Sequence, residues 1–321
     1  MGGDSLIAVH LIAKISEATQ TKLSPHSLID APTIAGLAEL ILASQPANLE
    51  LKPKLPPTLV EIQSGGSKPP LFLVHPVGGH VYIYRDLAHY LGSKQPVYGL
   101  QAQAIDGNSA FVTRVEEMAT QYIEAIRVVQ PQGPYFLGGS SFGGTVAYEM
   151  AQQLRAQGEK IGLLALIDTP GVGHMPSENI DNDDIKIMAY ALGVGANLAD
   201  PTEQLQQLST EEQLHYFLEK GKMALRMPAD FGIDELRRHH NLFKINLKAM
   251  RNYVPQPYPG RVIFFRASLR DPFNPQNPEL GWQNLAMEGL EIHEVPGNHI
   301  TMNFPPHVQV MAEWFKVYLQ N

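Results

Sequence analysis

The stretch that most constrains this chain is Pro134-Tyr135-Phe136-Leu137-Gly138-Gly139-Ser140-Ser141-Phe142-Gly143-Gly144, continued by Thr145-Val146-Ala147-Tyr148-Glu149-Met150. An apolar run, a glycine-rich turn and a helical pattern follow one another without a spacer. The order predicts a strand that ends in a turn too tight for side chains beside Ser141, with Gly139 and Gly143 removing the Cβ clashes. Such a unit lifts a serine hydroxyl above a sheet. It also turns the next backbone N–H, that of Phe142, into the same space at a helix start, where it can hold an oxyanion. The competing reading is a plain glycine-rich turn capped by serine. A bare G-x-S-x-G occurs by chance; the strand before it and the helix after it favour an exposed nucleophile.

The rest of the chain from about Leu59 agrees with an α/β fold. Strand patterns at 60–62, 71–74, 97–100, 135–138, 161–167, 262–267 and 290–295 alternate with helical patterns at 82–91, 115–129, 141–157 and 308–319. This predicts a mostly parallel sheet with helices on both faces. The alternation breaks once. Between Gly171 and Pro259 only helical patterns occur, at 184–192, 210–226 and 234–253, with apolar positions such as Ile185, Ile187, Met188 and Leu192. The segment is too long for a loop and reads as a helical lid over about 172–259. At the other end, residues 6–15 and 31–41 read as helices, the second with Thr33 as its N-cap. Residues 46–57 are proline-rich, polar and aperiodic, the composition of an extended linker. The expected parts are therefore 1–45, a linker at 46–57, and 58–321.

Composition removes several function classes. A chain of 321 residues suits one large α/β domain and something small. It contains no cysteine, which excludes disulfides, thiolate catalysis and cysteine-based zinc sites and fits a reducing, cytoplasmic setting. With a net charge of −8 and no Lys/Arg cluster, neither nucleic acid nor an anionic membrane is an expected partner. No stretch approaches the ~20 apolar residues that span a bilayer. The opening MGGDSLIAVH lacks the basic region of a signal peptide.

A serine hydroxyl is a weak nucleophile until a base takes its proton, and the base needs an acid to orient it. In a fold of this kind the chain order is serine, acid, histidine. His299, in Val295-Pro296-Gly297-Asn298-His299, follows the last predicted strand and precedes the final helix. It is the best placed of the twelve histidines. His239, His240 and His307 read as solvated surface residues, and His293 as structural within a strand. Two acids compete. Asp168 ends the strand 161–167 and Asp271 follows the strand 262–267; strand C-termini are where an open α/β sheet builds its site. The residues by themselves leave both open, with a lean to Asp168 because an apolar strand delivers it. The run His75-Pro76-Val77-Gly78-Gly79-His80 follows an early strand, where a second oxyanion N–H is expected. Pro76 has no N–H, so Val77 is the natural donor. No metal is called for.

Gly2-Gly3-Asp4-Ser5-Leu6 opens the first helix, and Ser5 there could be a simple N-cap. The motif also resembles the phosphopantetheine attachment site of carrier domains in nonribosomal peptide and polyketide synthases. Residues 28–38 resemble later helices of the same domain. The remainder resembles the terminal thioesterase of those synthases, through Phe72-Leu73-Val74-His75-Pro76-Val77-Gly78-Gly79, Gly138 to Gly144, Leu166-Ile167-Asp168-Thr169-Pro170 and Pro296-Gly297-Asn298-His299. The resemblance implies an α/β-hydrolase fold with a lid, preceded by a truncated helical carrier fragment, since such carriers have a long helix before the motif. It implies Ser5 as the site of 4'-phosphopantetheine, Ser141 as acyl acceptor, His299 as base, Asp168 rather than Asp271 as acid, and Val77 and Phe142 as oxyanion donors. Its implied partners are an acyl or peptidyl thioester on a carrier protein, upstream synthase modules and a phosphopantetheinyl transferase. The expected function is chain release by hydrolysis or cyclisation. The rival expectations are an editing thioesterase of the separate, type II kind and a non-catalytic carrier or docking module.

Overall fold

The computed structural model describes residues 5–19, 21, 23, 27–43, 55–103, 109–171, 208–223, 232–269 and 281–320. The expected helix at 184–192 with Ile185, Ile187, Met188 and Leu192, most of the linker, and Asp271 lie outside these residues.

Near the N-terminus are α1 (Ser5–Thr19), the short α2 (Ser27–Asp30) and α3 (Ile34–Ala43). Thr33 caps α3: its Oγ1 accepts the Gly36 N–H at 3.0 Å. Ile12, Ala31 and Leu37 form a small buried cluster, flanked by Ile15, Leu23, Leu28 and Leu40.

The sheet has seven strands: β1 (Leu59–Gln63), β2 (Leu71–Val74), β3 (Val97–Leu100), β4 (Tyr135–Ser140), β5 (Ile161–Ile167), β6 (Val262–Ala267) and β7 (Leu290–Val295). All seven coincide closely with the apolar runs of the sequence. Their spatial order is β1-β3-β2-β4-β5-β6-β7. Every neighbouring pair is parallel except β1 with β3, which is antiparallel. The chain therefore builds outward from β2 to β3, then crosses back to place β4 on the other side of β2. The carboxyl ends of β2 and β4 stand beside this reversal, where open α/β sheets bind ligands.

Both faces of the sheet are covered. A 3-10 turn at Tyr82–Tyr84 leads into α4 (Arg85–Leu91), followed by α5 (Val115–Arg127) and α6 (Phe142–Ala156). Phe72, Val74, Leu137, Leu164, Leu166 and Phe264 join the buried faces of α5 and α6 in the main core. The alternate residue Phe265 stacks instead on Phe315, ring centres 4.9 Å apart, in α9 (Val308–Tyr318). Strands buried on both faces must read as continuous apolar runs, which is why β2, β4 and β5 were legible.

The remaining described helices are α7 (Thr210–Met223) and α8 (Ile233–Asn252). The chain divides into two compact units, Met1–Glu50 with Ser177–Lys244, and Leu51–Pro176 with Ile245–Asn321. The first holds α1 to α3, α7 and most of α8. There, Arg237 pairs with Glu211 and Asp234, and Leu214, Phe217, Leu218 and Leu236 are buried. The expectation that His239 and His240 are solvated is corrected: His240 is buried and His239 half-buried. Both lie on a helix whose buried residues include Leu236, Leu242 and Phe243. The second unit holds the whole sheet.

Candidate active site

The turn after β4 is as tight as its glycines require. Ser141 adopts φ 55° and ψ −122°, a conformation that costs a non-glycine residue about 1–3 kcal/mol and persists where surroundings enforce it. Its N–H donates to the Ile167 carbonyl at 2.8 Å, tying the turn to the end of β5. A Cβ on Gly143 would fall onto the Val74 carbonyl oxygen and press on that of His75. Glycine there lets the start of α6 close onto the end of β2. Phe142 opens α6, so its N–H is among those with no partner inside the helix.

Asp168, one residue beyond β5, is the other non-glycine residue with positive φ among the described residues, at 44°. It is locked from two sides. Its N–H donates to the Phe265 carbonyl at 2.7 Å, and its Oδ1 accepts the Ala267 N–H at 3.0 Å. The second carboxylate oxygen, Oδ2, lies 2.7 Å from His299 Nδ1. The contact joins residues 131 positions apart. A buried acid facing Nδ1 puts the proton of a neutral imidazole on that nitrogen.

His299 sits in a loop built to hold it. Gly297 has φ 97°, which a side chain would strain. Asn298 Oδ1 accepts the N–H groups of Ile300 at 3.1 Å and Thr301 at 2.8 Å, an Asx turn. Asn303 Nδ2 donates to the His299 carbonyl at 3.2 Å. Leu269 N–H donates to the Gly297 carbonyl at 2.9 Å, which anchors the loop to the end of β6. Backbone bonds thus link the carboxyl ends of β4, β5, β6 and β7, and the sequence-predicted Ser141, Asp168 and His299 stand in that order along them.

Val77 follows β2 in a turn closed by Gly79 N–H on the Pro76 carbonyl at 2.9 Å. Asn246 of α8, 1% exposed, donates its Nδ2 to the Val77 carbonyl at 2.8 Å. Sequence reasoning missed Asn246. It lies 169 positions away, and a lone asparagine in a helix carries no signal of its own. Ser5 is the first residue of α1. Among the described residues, no group of three or more His, Asp or Glu could hold a metal ion, and no helix is long and apolar enough to cross a membrane.

Comparison with known proteins gives this arrangement its family. Residues 69–313 match the thioesterase domain, about three-quarters of the chain. This chain belongs to the thioesterase domain family. The thioesterase has the α/β-hydrolase fold of that family and is a serine hydrolase by class. Residues 1–41 match the phosphopantetheine attachment site. The thioesterase is 35% identical over 322 residues to a dimodular nonribosomal peptide synthase of Bacillus subtilis (strain 168), covering 100% of this chain and 13% of that one. It is 45% identical over 316 residues to malpinin synthetase of Mortierella alpina, covering 98% of this chain and 4% of that one. The chain thus spans a small fraction of these relatives. Among solved structures it resembles a four-domain nonribosomal peptide synthetase in its holo form with AMP and glycine bound. The TM-score is 0.76 at 29% identity, covering 97% of this chain and 23% of that one. It also resembles the NocB thioesterase domain in covalent complex with a fluorophosphonate nocardicin G analogue. There the TM-score is 0.60 at 25% identity, covering 79% and 96%.

Proposed function

We propose that this thioesterase releases the finished product of a nonribosomal peptide or polyketide assembly line by way of an acyl-Ser141 intermediate. The observation that carries the reading is the Asp168 carboxylate locked on His299 Nδ1 at 2.7 Å, on the same row of strand ends as the strained Ser141 turn. In this reading His299 Nε2 takes the Ser141 hydroxyl proton as Oγ attacks the thioester carbonyl. The C–O bond forms, the N–H groups of Val77 and Phe142 hold the oxyanion, and Asp168 stabilises the imidazolium. As the C–S bond breaks, His299 returns its proton to the departing thiolate. Water, or a hydroxyl or amine of the acyl chain itself, then attacks the ester carbonyl while His299 takes its proton; as the bond from the acyl carbon to Ser141 Oγ breaks, His299 returns that proton to Oγ.

The substrate is an acyl or peptidyl thioester presented by a carrier. Residues 1–45 supply part of such a carrier, 46–57 the linker, and 58–321 the thioesterase with its lid at about 172–259. Ser5 fits the attachment role through its place in Gly2-Gly3-Asp4-Ser5-Leu6, within the segment that matches the phosphopantetheine attachment site. When bound there, 4'-phosphopantetheine supplies the thiol that carries the acyl group. A phosphopantetheinyl transferase and upstream synthase modules are the partners this requires, in the cytoplasm.

A serine-directed fluorophosphonate tests the assignment. It labels the native chain at Ser141 and leaves Ser141→Ala unlabelled; equal labelling of both would overturn it. Loss of the serine lowers turnover by about 10⁴- to 10⁶-fold.

A further inference from the structure

His75 is 1% exposed, and neither the proposed chemistry nor the fold explains a titratable ring at that point. Its Nδ1 lies 2.7 Å from the carbonyl oxygen of Pro76, and its Nε2 lies 2.8 Å from the Tyr122 hydroxyl of α5. A carbonyl only accepts, so Nδ1 carries the proton and donates it to Pro76. Nε2 then accepts from the Tyr122 O–H, whose other neighbour, the Gln101 carbonyl, is farther away at 3.3 Å. Burial keeps the ring neutral, and its two partners set the tautomer: burial pushes His75 down to about 4, outweighing the opposite effect of the Pro76 carbonyl, and it pushes the Tyr122 phenol up.

The Pro76 carbonyl belongs to the same peptide group as the Val77 N–H. Fixing the oxygen fixes the direction of the N–H. A bond accepted by the oxygen also polarises the group and makes its N–H a stronger donor. The His75 ring further packs on Phe142, centres 5.8 Å apart, and edge-on against Tyr122 at 5.9 Å. One imidazole therefore touches the elements that carry both oxyanion donors. On the far side of Val77, Asn246 holds the next carbonyl at 2.8 Å.

We propose that His75, backed by Tyr122, is a positioning residue that aims the Val77 N–H at the oxyanion, with Asn246 steadying the following peptide. The proposal rests on the reading of Val77 as an oxyanion donor. It gives the buried histidine of His75-Pro76-Val77-Gly78-Gly79 a role in rate rather than in substrate binding. The energy of a donor depends on geometry, and the oxyanion develops only after the substrate has bound, on the way to the tetrahedral adduct, so misdirection lowers kcat and leaves KM in place.

The test uses the full chain and a small acyl-thioester substrate, with kcat counted per Ser141 labelled by the fluorophosphonate at its endpoint, so that misfolded protein drops out. His75→Phe keeps a ring and removes both nitrogens. Its kcat falls by about 10- to 100-fold with KM within about threefold, part of the ~10²- to 10³-fold that an oxyanion donor contributes. His75→Asn, whose amide reaches the Pro76 carbonyl, recovers about tenfold over His75→Phe. Asn246→Leu also loses kcat with KM retained. Native kcat in His75→Phe, or His75→Asn no better than His75→Phe, overturns the proposal. Should His75→Phe yield no labelled protein, Tyr122→Phe and Asn246→Leu decide by the same kcat-against-KM split. Val77→Pro removes the N–H itself. If Val77→Pro keeps native kcat, the reading of Val77 has failed. If Val77→Pro is inactive while His75→Phe is native, only the positioning role has failed.

Discussion

Two residues in the described chain accept left-handed backbone without being glycine, and they are Ser141 and Asp168. Each is held there by bonds its neighbours would otherwise lose: Ser141 N–H to Ile167, Asp168 N–H to Phe265 and Oδ1 to Ala267 N–H. Strain that survives in this way marks geometry under constraint. Two predictions belong at this scale. Asp168→Asn cannot fix the His299 tautomer, so thioester turnover falls by about 10⁴-fold while circular dichroism stays native. Asp271→Asn, outside the described residues, costs little; a reversal of the two results would move the acid to the later strand. Gly143→Ala drives a methyl into the Val74 carbonyl, where backbone rather than a pliable side chain must yield. Overpacking of this kind costs about 1–3 kcal/mol or more, so its melting temperature drops and turnover with it; native melting and turnover would show that α6 can shift away from β2.

Elements reach the site through their ends, and the pieces that hold those ends together are polar and buried. Tyr84, in the turn before α4, donates its hydroxyl to the Val74 carbonyl and accepts the Ser140 N–H at 2.8 Å. It thus bridges the last residues of β2 and β4, directly beneath the Ser141 turn and the His75–Gly79 loop. Tyr84→Phe strands a buried N–H and should destabilise by about 1–3 kcal/mol, read as a lower urea midpoint at unchanged slope. A midpoint equal to that of the native chain would show that the two strands hold without it. At the other edge, His293 of β7 is explained structurally. It stacks on Trp314 with centres 3.8 Å apart and contacts the Tyr318 hydroxyl at 2.6 Å.

For the whole molecule, the two hydrophobic clusters follow the chain's division. The main cluster is built from buried residues from Leu59 onward, with Leu55 packed against it, whereas the N-terminal one consists of Ile12, Ala31 and Leu37 with their immediate neighbours. The sheet, Ser141, Asp168 and His299 all fall in the unit Leu51–Pro176 with Ile245–Asn321. Removing residues 1–50 takes α1 to α3 from the other unit, so the turnover of a small free acyl-thioester should stay close to native. A large fall in turnover would show that the unit holding the sheet depends on them.

Every strand could be read from the chain: those buried on both faces leave uninterrupted apolar runs such as Leu71-Phe72-Leu73-Val74, and the edge strands β1 and β7 still mix apolar with polar residues over a strand's length. The Ser141 turn could be read too, because a steric demand for glycine on both sides is local. Asp168 and Asp271 could not be separated by such local rules, since both follow apolar strands. Asn246 against Val77, Tyr122 against His75 and Tyr84 across β2 and β4 were invisible too. A single polar residue inside a helix or loop has no periodicity, and its meaning lies in a partner dozens to well over a hundred residues away. The chain by itself determined which residues could do chemistry and on which elements they ride. The crossing of β3 back over β2 to β4 decided which of them meet, because hydrogen bonds act over about 3 Å and only the folded sheet brings these groups that close.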